Sequence, residues 1–242
     1  MKRHVRKFLG RRLSSEEYLG LHLTIGLLVC LMLVSLFSLI ARDLVGEQTL
    51  TEFDTDLGRS FEQHRLAHPW FRQVLLAITQ FGSPLTILAL AILVALAMLV
   101  RRRRRLALAW LLALLASGLL NLGLKEAFNR DRPPFHDRAI RETTESFPSG
   151  HAMGAITTYG LLTYLLVLRC RSRCSRIIVV FLLSGLILAI GVSRVYLGAH
   201  YFSDVAGGFA VGGAWLAACI SGIEVSRRRS RRRRGQNPRF LP

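Results

Sequence analysis

The chain is short of cysteine, of acidic residues and of lysine, and each shortage narrows what it can be. Four cysteines among 242 residues cannot staple a disulfide scaffold. Only 15 Asp and Glu stand against 33 Lys and Arg, for a formal net charge of +18. Of those 33, only Lys2, Lys7 and Lys125 are lysines, so the basic character is carried by arginine, a bias that fits a GC-rich bacterial genome. What the chain has is apolar length. Hydrophobic residues make up 51% and the mean hydropathy is +0.36, which excludes a disordered chain. A soluble nucleic-acid binder fits the charge but not the long apolar runs, so no nucleic-acid partner is expected.

Six runs stand between charged punctuation: Leu21–Ala41, Pro84–Val100, Leu106–Leu124, Ala152–Leu168, Ile177–Val192 and Val205–Ile223. Roughly 17–21 residues at 1.5 Å rise cover about 25–31 Å, near the thickness of a bilayer's hydrocarbon core. The first run is too long for a secretory signal and lacks a small-residue cleavage site, so it reads as a retained helix. With the N-terminus inside, the segments 1–20, 101–105, 169–176 and 224–242 hold 23 of the basic residues and net +20, while the outer segments net −2. That asymmetry is the positive-inside pattern. It predicts a multi-pass protein of the cell (inner) membrane with both termini cytoplasmic.

The fold class expected is therefore all-α, a polytopic membrane bundle of six helices. The chain divides into a basic N-terminus (1–20), the six-span domain (21–223) and a basic, unordered tail (224–242). The arginine runs at 101–105 and 227–234 read as topological anchors rather than ligand sites. In the first outer loop, 42–73, Asp54, Asp56, Arg59, Glu62 and Arg65 alternate with Leu57, Phe61, Leu66, Trp70 and Phe71, the pattern of an interfacial helix anchored by Trp70. That segment is either part of a lipid entrance or a plain interfacial loop. Cys30 and Cys219 read as small apolar packing, and Cys170 and Cys174 carry a weak metal signal without further ligands nearby. Gly207, Gly208, Gly212 and Gly213 would let the last helix approach its neighbours.

Three polar clusters are not explained by the membrane, and the topology puts all of them on the outer side. They are Lys125-x6-Arg132-Pro133, Pro148-Ser149-Gly150-His151 and Ser193-Arg194-x5-His200-x3-Asp204. Lys125, Arg132 and Arg194 supply three cations suited to an oxyanion. Ser149 and Gly150 fall where the fourth spanning helix begins, so backbone N–H groups there can face a phosphate. His200 and Asp204, four apart, would share one helical face, the carboxylate fixing the tautomer that leaves the other ring nitrogen nucleophilic. His151 is a second imidazole, able to protonate a leaving oxygen. Asp204 entering an apolar run demands a partner.

These three motifs resemble the signature of the type-2 phosphatidic acid phosphatase (lipid phosphate phosphatase) superfamily, and all three parts are present without departure over residues 125–204. The resemblance implies an enzyme that hydrolyses a lipid mono- or diphosphate at the extracytoplasmic face, with undecaprenyl diphosphate favoured by family prevalence and phosphatidylglycerophosphate, phosphatidate or lipid A as other substrates. It implies that Lys125, Arg132, Ser149, Gly150 and Arg194 hold the phosphate. It further implies that His200 forms a phosphohistidine, Asp204 orients it, and His151 serves as acid and then base. No metal and no cofactor are implied; the partners are the lipid phosphate and the bilayer. A lipid phosphotransferase working through the same phosphohistidine is the alternative. A non-catalytic scaffold acting through the basic tail is a distant one.

The charge asymmetry sets the first prediction. Reporter fusions after residue 103, after residue 172 and at the C-terminus should report cytoplasm, and a fusion near Thr143 the opposite side; an external C-terminus would overturn the orientation.

Overall fold

The computed structural model describes residues 18–46, 49–134, 137, 139–140, 142 and 144–235, with side chains placed over 23–46, 50–134, 137, 139–140, 142 and 144–228. Residues 1–17, Thr143 and residues 236–242 lie outside the described residues, so most of the N-terminal segment and the end of the tail are not addressed by it. The described secondary structure is helical throughout. In chain order the helices are α1 Tyr18–Val45, α2 Thr49–Ala67, α3 Pro69–Gln80, α4 Pro84–Val100, α5 Arg104–Phe128, α6 Gly150–Val167, α7 Arg173–Tyr196 and α8 Phe202–Gly235.

Each apolar run found in the sequence lies largely within one helix, and local chemistry sets the ends. Ser83 caps α4, its hydroxyl accepting from Thr86 N–H at 3.3 Å, and Pro84 follows at the first helical position, where a missing N–H costs nothing. Ser172 caps α7 in the same way, accepting from Ser175 N–H at 3.0 Å. α5 stops at Asn129, held in the left-handed region at φ 44, a conformation that Asn tolerates better than most residues. α7 stops at Gly198, φ 67, where Ala199 N–H reaches Arg194 O at 3.0 Å and Gly198 N–H reaches Val195 O at 3.0 Å. This is the paired closure of a Schellman turn, and it needs a residue without Cβ at its corner.

Among the described residues four helices are long and apolar enough to cross a membrane: α1, α5, α7 and the Phe202–Arg228 part of α8. α3 and α4 together make a fifth candidate, bent by 42° at the Phe81–Ser83 break. α6 does not stand out by length and composition. It packs against α5, α7 and α8 and buries Ala152, Met153, Ala155, Thr157, Thr158, Tyr159 and Leu161, so little of it needs to match lipid. Lipid-compatible surface is instead supplied by the outward leucines, isoleucines and phenylalanines of α1, α4, α5 and α7, among them Leu28, Leu93, Leu115 and Phe181.

Two parts differ from the sequence expectation. The backbone of α8 remains helical through the arginine run to Gly235 instead of becoming unordered at 224; arginine is a good helix former and each added residue extends an existing nucleus. The first outer loop holds a helix, α2, but its inner face is docked rather than free. Asp54 and Arg65 lie on the same stripe as Leu57 and Phe61 and are buried with it. α3 is tied down as well, by Arg72, whose guanidinium donates to both oxygens of Asp137 at 2.5 and 2.8 Å.

α6 and α8 approach closely because α8 offers glycine where they touch. A Cβ on Gly208 would fall 2.7 Å from Ser149 O, and one on Gly212 would fall 2.6 Å from Ile156 Cγ2. Gly208→Ala should therefore lower the melting temperature in detergent, by overpacking of about 1–3 kcal/mol. Gly222→Ala, whose Cβ would meet nothing within 4 Å, should be neutral or mildly stabilising. Equal melting temperatures for the two variants would refute the close approach.

Candidate active site

The three motifs come together at one end of the bundle, around a group the sequence did not single out. The carboxylate of Glu142, in the α5–α6 connection, sits between the side chains expected to bind an anion. Arg194 Nη2 donates to its Oε1, and Arg132 Nη2 lies 2.8 Å from its Oε2. His200 Nε2 lies 3.5 Å from Oε2 and His151 Nδ1 lies 3.7 Å from Oε1. Burial alone would raise the pKa of this carboxyl. The hydrogen bond with His200 and the charges of Arg194 and Arg132 outweigh it and hold Glu142 ionised well below the usual carboxylate range. Two arginines and two imidazoles thus converge on a single anionic group.

Each of these side chains is positioned by the backbone it leaves. Arg194 closes the last turn of α7, is almost wholly buried, and donates from Nη1 to Thr79 Oγ1 at 3.0 Å. Because the Schellman turn reverses the chain at Gly198, His200 N–H comes back to Arg194 O at 3.3 Å and the imidazole lies beside the guanidinium. His200 therefore belongs to the turn before α8. The expectation that it shares a helical face with Asp204 needs correcting: only Asp204 is on the helix, in its first turn. Arg132 is braced by carbonyls, donating to Thr144 O at 2.6 Å, Ala199 O at 2.8 Å and Glu145 O at 3.2 Å, and its Nη1 lies 3.5 Å from His200 Nε2.

Lys125 lies next to this centre, directed at the loop. Its ammonium donates to Thr144 Oγ1 at 2.9 Å and to Glu145 O, sharing both acceptors with Arg132. Ser149 is fully buried as the cap of α6, accepting from Ala152 N–H at 3.5 Å. Its own N–H is not available to an anion, because it donates to Asp204 O at 3.0 Å. The helix-start donors left are Gly150 and His151. Gly150 also lets α5 and α6 close up, since a Cβ there would stand 3.0 Å from Asn121 Oδ1.

Asp204 is fully buried and carries more partners than the sequence implied. Its Oδ1 accepts from Arg130 Nη1 at 2.5 Å; its Oδ2 accepts from Tyr201 N–H at 2.8 Å and from the Ser146 hydroxyl. His200 Nδ1 lies 3.5 Å from Oδ2, at the edge of hydrogen-bond distance. Arg130 extends the network to α2, donating to Asp54 Oδ2 at 3.0 Å and to Ser203 Oγ at 2.8 Å, while Asp54 Oδ1 accepts from Ser203 N–H at 3.0 Å. Burial opposes the charge on Arg130, but Asp204 and Asp54 more than restore it, so its pKa is raised. The Arg130 guanidinium also lies 4.3 Å from the Tyr201 ring centroid.

Sequence reasoning missed Glu142, Arg130, Asp54 and Ser146. For Asp54 a signal existed, because it repeats at helical spacing with Leu57 and Phe61. For Glu142 none did; it reads as one more outer-loop acid. From this centre a cavity of about 1040 Å³ opens between α4, α5 and α6, bordered at the site end by Lys125, Glu142, His151 and Arg194.

The chain has relatives. A family model described as the PAP2 superfamily matches residues 106–228. Phosphatidylglycerophosphatase B of Bacillus subtilis (strain 168) is 36% identical over 148 residues, 61% of this chain and 72% of that protein. Lipid A 1-phosphatase of Rhizobium etli is 40% identical over 110 residues, 42% of this chain and 43% of that protein. Among solved structures, the transmembrane PAP2-type phosphatidylglycerolphosphate phosphatase from Bacillus subtilis superposes with a TM-score of 0.72 at 30% identity, covering 79% of this chain and 96% of that one.

Glu142 occupies the point on which Arg132, Arg194, His151 and His200 converge. Glu142→Gln keeps the shape and removes the charge, so orthovanadate should bind about tenfold more tightly to the variant by calorimetry, one neutralised close contact being worth on the order of 1.4 kcal/mol. Unchanged affinity would place the oxyanion elsewhere.

Proposed function

The chain belongs to the PAP2 superfamily, and we propose that it is a membrane lipid phosphatase acting through a phosphohistidine on His200. The observation that supports this reading is the convergence of Arg132, Arg194, His151 and His200 on one carboxylate, the arrangement a compact anion would need. A phosphate displacing Glu142 would meet both guanidinium forks, with Lys125 alongside and the Gly150 N–H at the start of α6. Ser149 contributes by capping that helix.

In the first step His200 Nε2 attacks phosphorus, forming the N–P bond as the P–O bond to the lipid breaks, and His151 gives its proton to the departing oxygen. In the second, His151 takes a proton from water, whose oxygen attacks phosphorus and releases phosphate with His200 restored. Asp204 stabilises the charge His200 acquires and is itself fixed by Arg130, Ser146 and Tyr201. Three protein cations supply the charge neutralisation that a divalent ion gives other phosphatases, so the reaction runs without metal.

The same reading assigns six spans, with the bent α3–α4 pair and α6 counted among them, and puts α2 at the outer interface. It assigns both termini to the cytoplasm of an inner-membrane protein and the site to the extracytoplasmic face. The domain limits 21–223 follow, with the arginine-rich end of α8 as a cytoplasmic extension. Two substrate families fit: polyprenyl diphosphates such as undecaprenyl diphosphate, and the acylated phosphates for which the relatives are named.

Purified protein should release inorganic phosphate from lipid phosphates in the presence of EDTA, and rapid quenching should trap an acid-labile phosphoenzyme. His200→Ala should abolish both, and Asp204→Asn should reduce turnover by up to ~10⁴, as loss of the carboxylate does in a serine-protease triad. Full activity in His200→Ala would refute the assignment; transfer of phosphate to a second lipid instead of water would identify a phosphotransferase.

A further inference from the structure

The cavity that starts at the anion centre continues along α5 from Lys125 to Leu111, fourteen residues or about 21 Å at the helical rise. Its rim is apolar and laterally open: Leu88, Leu112, Leu115, Leu119 and Leu122 border it and are all more than half exposed. A hydrocarbon chain held there stays continuous with the surrounding lipid. One band of its wall is different. Asn121 lies one helical turn below Lys125, about 6 Å, and Ser117 lies two turns below, about 12 Å. Across from Ser117, α6 places Thr157 and Thr158, and all four residues border the cavity.

This band carries hydrogen-bonding capacity that the protein does not use. Thr158 Oγ1 is buried and has no partner among the described residues. Ser117 Oγ and Thr157 Oγ1 bond to each other at 3.1 Å, which engages one of their two protons. Asn121 gives one N–H to Pro148 O at 3.3 Å and keeps its other amide proton. Hydroxyls in buried helices ordinarily find an acceptor, and leaving one bare beside hydrocarbon is unfavourable.

We propose that this band is the part of the site that selects the lipid, receiving the ester carbonyls of an acyl glycerol phosphate; the inference rests on the phosphatase reading above and narrows it. Acyl glycerol phosphates present two ester carbonyls on the chain side of the phosphate, the side on which Asn121, Ser117, Thr157 and Thr158 present donors. A polyprenyl diphosphate would instead set its charged inner phosphate against this band, which offers only neutral donors, and its chain below has no acceptor. The band therefore favours acylated glycerol lipids over polyprenyl diphosphates, the class that family prevalence alone suggests.

The discriminating probe is the ester itself. Phosphate release should be measured in mixed micelles from dioleoyl phosphatidate, from its dialkyl ether analogue, which lacks only the carbonyls, and from a polyprenyl diphosphate. Wild-type kcat/KM should favour ester over ether by roughly five- to tenfold, the worth of one or two neutral hydrogen bonds. In Thr158→Val, and further in the Ser117→Ala/Thr158→Val pair, that ratio should fall toward one, with melting temperatures reporting that the variants are folded. A wild-type ratio of one, or higher kcat/KM on the polyprenyl substrate, overturns the inference while leaving the phosphatase reading intact. No release from any of the three lipids overturns both. The wild-type ratio decides the matter even where a variant does not fold.

Discussion

Arg130 stands between two buried carboxylates, Asp204 at the start of α8 and Asp54 on α2, and the site end of the molecule is organised around that bridge. A carboxylate at the head of a membrane-crossing helix is tolerable only with a partner. Here the partner comes from the loop after α5 and is itself held by a third element. Removing one member of such a buried pair leaves a naked charge, typically at a cost of about 3–5 kcal/mol. The network also fixes chemistry, because the Asp204 oxygen facing His200 is the one that Ser146 and Tyr201 hold in place. α2 thereby becomes part of the support of the site, and its polar residues are no mere surface decoration.

The electrostatics of the centre follow from how little water reaches it. Arg194 is almost fully buried and Arg132 mostly so, which leaves two guanidinium groups close together in a poorly screened environment. Without an anion between them they would repel. Glu142 supplies that anion. A doubly charged phosphate brings more charge and more acceptor oxygens than one carboxylate, so exchange is favourable for a phosphate and much less so for a singly charged headgroup. The resident carboxylate thus neutralises a pair of guanidinium groups that would otherwise repel.

Much of this was legible in the sequence because periodic burial and motif spacing are local. Each of the six apolar runs lies largely in a helix of its own, although among the described residues only four helices, or five counting the bent α3–α4 pair, are long and apolar enough to cross a membrane. The motif residues Lys125, Arg132, Ser149, Gly150, His151, Arg194, His200 and Asp204 lie at one end of the bundle. What escaped was set by tertiary contact. Glu142 comes from a connection without periodicity, and nothing in its neighbours says that it folds back into the cations. Arg130 lies inside a motif whose spacing draws attention to Lys125 and Arg132. His200 was expected on a helix because a separation of four suits one; the left-handed Gly198 ends α7 and Phe202 begins α8, so the same separation spans a turn and a helix start. α8 continues past the end of its apolar run because helix propensity does not change where hydropathy does.

The turn at Gly198 has a mechanical consequence. Arg194 and His200 are joined across it by backbone hydrogen bonds, so the anion clamp and the neighbouring imidazole form one small rigid unit at the tip of α7. Bilayers differ in thickness, and helices answer by tilting. A tilt of α7 carries guanidinium and imidazole together, leaving their separation unchanged. The lipid-facing surface of α7 can then adjust to bilayers of different thickness without parting the two groups. The pairing of Arg194 with His200 is thereby insulated from the thickness of the surrounding bilayer.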